Sequence, residues 1–121
     1  MWDVHWRVGG SAGTELQSAN CTKNPKIQHD ANPICEGAFL LLHITKTGSV
    51  YMENNWGWVS DHELDTIDHN QIDIYNARGV LIESTKGVWM YGTAFEHSML
   101  YNYQVSNADG VYLGTIQSET A

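Results

Sequence analysis

The chain has 121 residues, room for one domain at most. Its 14 Asp+Glu against 6 Lys+Arg leave a net charge of −8, which argues against nucleic acid or anionic membrane as a partner, because both are held by clustered basic charge. The longest apolar run, residues 38–42, is far short of the roughly 20 residues that span a bilayer, and 42% hydrophobic residues are too many for a disordered chain.

Met1 is followed at once by Trp2, Asp3, Val4, His5 and Trp6, which reads neither as a signal peptide nor as a disordered start. The last residues, 117–121, stop just after a strand-like run. Both ends are those expected of a piece of a larger protein. Cys21 and Cys35 enclose a polar stretch that holds Pro25 and Pro33, and the triplet Asn20-Cys21-Thr22 makes Asn20 a candidate glycosylation site. No CxxC or Cys/His ligand pattern is present. A disulfide between Cys21 and Cys35 is favoured over two free thiols, contributes about 3 kcal/mol by loop entropy, and points to a secreted protein.

Beyond the loop, no segment keeps a helical period. Residues 39–44 read as a buried strand and residues 50–53 as a second. Residues 71–75 alternate as a half-buried strand does. Residues 80–82, 88–91, 99–101 and 111–113 follow, with connections too brief for crossover helices. Gly87-Val88-Trp89-Met90-Tyr91-Gly92-Thr93 is echoed 23 residues later by Gly110-Val111-Tyr112-Leu113-Gly114-Thr115, and a third Gly-Val run begins at Gly79. Short strands with a period in the twenties fit coils of a parallel β-helix stacked about 4.8 Å apart. An antiparallel sandwich is the alternative. Matching Ile74-Tyr75-Asn76 to Leu100-Tyr101-Asn102 gives a competing spacing of 26. A β-helix piece exposes open coils at its ends, so the isolated chain is expected to be sticky and poorly folded.

Several runs together resemble fungal glycoside hydrolase family 55. They are Met1-Trp2-Asp3-Val4-His5-Trp6-Arg7-Val8-Gly9-Gly10, then Cys35-Glu36-Gly37-Ala38-Phe39, then Glu53-Asn54 leading into Trp56-Gly57-Trp58 and Asp61-His62. The longest stretch runs from Gly79-Val80-Leu81-Ile82-Glu83-Ser84 through Trp89, Tyr91-Gly92-Thr93, Glu96-His97 and Tyr101 to Gln117-Ser118-Glu119-Thr120. The resemblance implies an all-β, right-handed parallel β-helix of the pectate-lyase-like group, present here in part. Residues 1–121 would belong to the second of two such helices. It also implies secreted, inverting, exo-acting hydrolysis of laminarin-type β-1,3-glucan to glucose, without a cofactor. The partners implied are the glucan and the missing N-terminal helix, which supplies most of the groups that hold the attacking water. The piece alone is therefore expected to be inactive.

Within that resemblance Glu119 matches the general acid and Glu96 a second acidic position. Each lies nine residues after a glycine of the 23-residue echo, Gly110 and Gly87, so the two stack on adjacent coils about 5 Å apart. Carboxylates that close do not both ionise cheaply, which would keep one protonated, as an acid catalyst requires. A glucose ring presents an apolar CH face, for which Trp58, then Trp56, Trp89 and Tyr91, are the candidate platforms; core packing is the alternative for each. Asp61 is a candidate cleft residue because it closely follows Trp58. The rest of the acidic run to His69 reads as a solvated loop or as local capping of backbone groups, and no metal site is expected. His43, His62 and His97 read as structural hydrogen-bonders. A Ca²⁺-dependent polysaccharide lyase and a non-catalytic carbohydrate-binding β-helix are the other readings, the first disfavoured by so few basic residues.

Overall fold

A computed structural model of the chain describes residues 1–24 and 26–121; Pro25, one of the two loop prolines, lies outside the described residues. The strands are β1 (His5–Val8), β2 (Glu36–Ile44), β3 (Val50–Glu53), β4 (Trp56–Val59), β5 (Tyr75–Ile82), β6 (Val88–Tyr91), β7 (Ala94–Glu96), β8 (Tyr101–Val105) and β9 (Val111–Gly114). Every third strand joins the same sheet, giving β1-β4-β7, β2-β5-β8 and β3-β6-β9, with all strand pairs parallel. Three coils thus wind into a partial parallel β-helix, and a bridge from Ala94 to Gln117 begins a fourth. The sandwich alternative is overturned.

The 23-residue spacing holds from the second coil to the third, where Val88 faces Val111 and Arg78 faces Tyr101, and on into the fourth, where Ala94 faces Gln117. The 26-residue match is not adopted, because Tyr101 lies opposite Arg78 and not Tyr75. The Gly79 run is not a third repeat either: Val80 pairs with Leu42 and Tyr103 in the second sheet, while Val88 and Val111 pair in the third. Earlier coils are longer, with Val50 opposite Val88, 38 residues on, and His5 opposite Trp56, 51 residues on.

All of that extra chain sits at one corner. Between second and third sheets each connection has five residues (45–49, 83–87, 106–110), and between third and first sheets each has two (54–55, 92–93, 115–116). Between first and second sheets the connections are residues 9–35, 60–74 and 97–100. The two-residue corners share one conformation: Asn54, Gly92 and Thr115 hold φ at 54°, 57° and 54°, and Asp3 repeats it at 55°. Only the left-handed region turns the chain this sharply, which suits Gly and Asn and strains a β-branched Thr. Asn54 Nδ2 also donates to Asp3 Oδ1 at 2.6 Å, linking successive corners.

Two expected strands are displaced. Residues 71–75 do not form one: Gln71 and Ile72 make only isolated antiparallel bridges to His62 and Thr22, and β5 starts at Tyr75. Their alternation is nonetheless real, since Ile72 and Ile74 are buried beneath the loops with Cys21, Cys35 and Val59. The strand expected at residues 99–101 starts instead at Tyr101, leaving Met99 and Leu100 exposed.

The main core lies inside the coils and comprises Ile44, Met52, Val80, Ile82, Val88, Met90 and Phe95. Phe95 sits between Trp6, stacked at 6.0 Å, and Tyr103, edge-on at 5.4 Å. Gly57 faces the same interior, and a Cβ there would run into the Phe95 ring. The Tyr103 hydroxyl donates to the Thr93 carbonyl at 2.9 Å, and burial pushes it up to about 12.

Candidate active site

The first sheet carries the candidate site. Trp6, Gly57 and Phe95 point into the coil, so their neighbours point out. Two outward columns result from the register: His5, Trp56, Ala94 and Gln117, and beside them Arg7, Trp58 and Glu96. Glu119 continues the second column, because the Phe95 amide bonds the Gln117 carbonyl at 3.3 Å and the His97 amide bonds the Glu119 carbonyl at 2.9 Å.

Glu96 and Glu119 have different surroundings. Glu96 is 4% exposed, and both its oxygens are taken: Trp56 Nε1 donates to Oε2 at 2.8 Å and Gln117 Nε2 to Oε1 at 2.6 Å. The Glu119 side chain is 63% exposed, with Oε2 3.7 Å from His97 Nε2. Its backbone is held firmly, since Asn102 Nδ2 also donates to the Glu119 carbonyl at 2.7 Å. His97 Nδ1 lies 2.9 Å from the Val59 carbonyl. A carbonyl only accepts, so Nδ1 carries the proton and Nε2 is the nitrogen turned to Glu119.

Glu119 opens onto a cleft of about 540 Å³ at the variable corner. Asn24 and His29 from the disulfide loop, Asp61 and Asp73 from the second connection, and His97 line its other sides. Asp61 thus sits in one cleft with Glu119, its Oδ1 2.7 Å from His62 Nδ1. Glu96 lines a separate hollow with His5, Trp56 and Gln117.

The aromatic candidates divide. Trp58 is only 3% exposed, stacked on Trp56 at 4.8 Å with His62 edge-on at 5.1 Å, so the first-choice platform offers no open face here. Trp56 is half-buried and keeps a side in the hollow beside Glu96. Trp89 and Tyr91 point outward as alternation requires, but on the third sheet, away from the Glu119 cleft.

The wall of the cleft is fastened by the expected disulfide and by carboxylate bonds whose distant partners the sequence does not reveal. The disulfide Cys21–Cys35 closes the loop, flanked by the one-turn helix α1 (Ser18–Cys21) and a 3₁₀ turn, Pro33–Cys35. Asn20, the glycosylation candidate, is exposed and donates to the Glu15 carbonyl at 2.9 Å. Glu63 is buried and accepts from the Ser18 amide at 2.8 Å, from Thr66 Oγ1 at 3.2 Å and from Asn70 Nδ2 at 3.2 Å. Asp65 takes both guanidinium nitrogens of Arg7, at 3.2 and 2.8 Å, and the Ala12 amide at 2.9 Å. The acidic run therefore caps backbone groups, with Glu63 buried where a solvated loop was the other reading.

These bonds hold both carboxyls below their usual range, Glu63 chiefly through the Ser18 amide and Asp65 chiefly through Arg7. A lowered folded-state value means the unfolded chain binds the proton more tightly. The stabilisation is present above the ordinary carboxylate range and fades as pH falls through the folded values. The Ala12 and Ser18 amides are thus expected to lose hydrogen-exchange protection below about pH 4, before the coil core does. Equal protection factors at near-neutral and strongly acid pH would refute this.

No protein-family model matches the chain. A probable glucan endo-1,3-beta-glucosidase of Arthroderma benhamiae is 65% identical over 120 residues, 99% of this chain. The chain is homologous to a small portion of fungal glucan 1,3-beta-glucosidases. It spans 14% of the Arthroderma protein. A glucan 1,3-beta-glucosidase of Cochliobolus carbonum is 41% identical over 121 residues, 15% of that protein. A Penicillium expansum protein named as a non-secreted LysM effector, LysM15, is 51% identical over 120 residues, 8% of its length.

Proposed function

We propose that this chain is part of the second, C-terminal β-helix of a family 55-type glycoside hydrolase that cleaves β-1,3-glucan from the chain end with inversion, and that Glu119 is its general acid. The observation that carries the reading is an exposed carboxylate on a rigidly held backbone, lining a cleft with Asp61 and His97. Homology to proteins named for 1,3-beta-glucan supplies the substrate class. The disulfide supports passage through an oxidising compartment, and hence secretion.

Inversion needs an acid at the leaving oxygen and, across the sugar, a carboxylate far enough away to admit a water. Glu119 suits the first task because its side chain is 63% exposed at the cleft, with His97 Nε2 3.7 Å from Oε2. Glu96 does not suit the second, since Trp56 and Gln117 occupy both its oxygens. In this reading Glu96 is a positioning residue that orients the Trp56 indole as an aromatic wall, with Trp58 supporting it from behind. In this reading the groups that hold the attacking water come from the other β-helix of the parent protein, as the family resemblance implies.

The test is incubation of the full-length parent protein with a linear β-1,3-glucan. Glucose is expected as the first product, initially in the α configuration by NMR. Oligosaccharides as first products would replace the exo reading by an endo one, the mode printed in the name of the Arthroderma relative. Retention on glucan without turnover would favour the non-catalytic binding reading.

A further inference from the structure

The outer face of the third sheet is unused by the Glu119 cleft. Along β3, β6 and β9, Met52, Val88 and Met90 point into the core while Tyr51, Trp89, Tyr91 and Tyr112 point out. Trp2 joins them, its Nε1 donating to Glu53 Oε2 at 2.8 Å, and the Tyr51 hydroxyl donates to the same oxygen at 3.1 Å. Ring centroids follow one another at 5.8 Å from Trp2 to Tyr51, 5.6 Å from Tyr51 to Tyr91 and 5.0 Å from Tyr91 to Tyr112. All five rings are between 38% and 63% exposed. A contiguous apolar patch of this kind marks an interaction surface.

Two glycines decide which part of the rings meets solvent. A Cβ on Gly87 would lie 2.6 Å from Cη2 of Trp89, and one on Gly114 would lie 2.6 Å from Cε1 of Tyr112. Both rings therefore reach back over the bare backbone of a glycine two residues away in sequence, and both stay half exposed. A row of exposed aromatic rings suits a flat, apolar partner with polar edges. The ring of a β-linked glucose unit is such a partner: CH groups face up and down, and hydroxyls lie at the rim within reach of tyrosine hydroxyls. Charge narrows the choice further. Glu53 is the only charged side chain among these residues and the chain carries −8, so a polyanion is repelled and a neutral polymer is not.

We propose that this face is a second glucan-binding platform, separate from the cleft, which lays a neutral β-1,3-glucan chain across Trp89 and Tyr112. The choice of polymer rests on the glucanase reading. Trp89 and Tyr91 would then hold substrate that is not being cleaved.

The test uses the full-length parent carrying Glu119→Gln, so that turnover does not consume the ligand, and measures depletion onto insoluble β-1,3-glucan particles. Adding Trp89→Ala with Tyr112→Ala is expected to weaken retention about tenfold or more, the scale of an interfacial aromatic hot spot. Tyr51→Ala, at an independent position, repeats the measurement if the double variant misfolds. Unchanged retention in a parent that hydrolyses glucan overturns the platform and leaves the glucanase reading intact. Unchanged retention together with a marked fall in Tm assigns the face to the rest of the parent chain, and also overturns it. A parent that neither hydrolyses nor is retained defeats both readings.

Discussion

Replacing Glu119 by Gln in the full-length parent lowers glucose release from β-1,3-glucan about a hundredfold or more, the range for loss of a positioned general acid. Gln keeps the shape of the side chain and its reach to His97 but has no acidic proton to give. The side chain is largely exposed and its backbone is anchored through the carbonyl, by the His97 amide and by Asn102. The substitution should therefore leave Tm where it was, so lost activity reports chemistry and not unfolding. Equal activity in parent and variant would remove Glu119 from the acid role.

Phe95→Ala has the largest expected effect on stability, about 3–5 kcal/mol for a fully buried aromatic. Its ring fills the space that Gly57 leaves open and packs on Trp6 and Tyr103 from two other strands. No neighbour can close the cavity, since each belongs to a ladder whose register is set by backbone bonds. Phe95 also sits next to Glu96, and its amide bonds the Gln117 carbonyl. Loosening it should lower activity on warming well before the parent loses its own. The check is the unfolding midpoint of the full-length variant against the parent; a change under about 1 kcal/mol would mean this position is not core.

How much of this was legible in the sequence depends on where the packing partner sits. The third sheet was read almost to the residue, since Val50, Met52, Val88 and Met90 alternate with outward residues and are bounded by turns. The first sheet, which carries the candidate site, shows no strand pattern in the sequence. Its inward positions are Trp6, Gly57 and Phe95, and a glycine at the centre of β4 breaks any apolar alternation. The gap makes sense only when the next coil supplies Phe95, a contact invisible to local pattern. The 23-residue echo sets Glu96 and Glu119 in one column, while the acid role proposed for Glu119 rests on family resemblance. The disulfide could be argued from its loop. The partners of Glu63 could not, because Ser18 lies 45 residues away on another connection.

The unequal coils carry a consequence for how such a molecule can change. Closing a loop grows harder only as the logarithm of its length, so stretching a coil from 23 to 51 residues raises the closure entropy by only about 0.7 kcal/mol. The ladder scarcely registers whether its corner holds a short turn or a folded, disulfide-braced flap. The flap is also the wall that faces Glu119. Exposed residues there, away from the Cys21–Cys35 bridge and the Glu63 and Asp65 bonds, can be inserted, lost or exchanged at small thermodynamic expense, and the contour of the cleft changes with them while the scaffold underneath keeps its register.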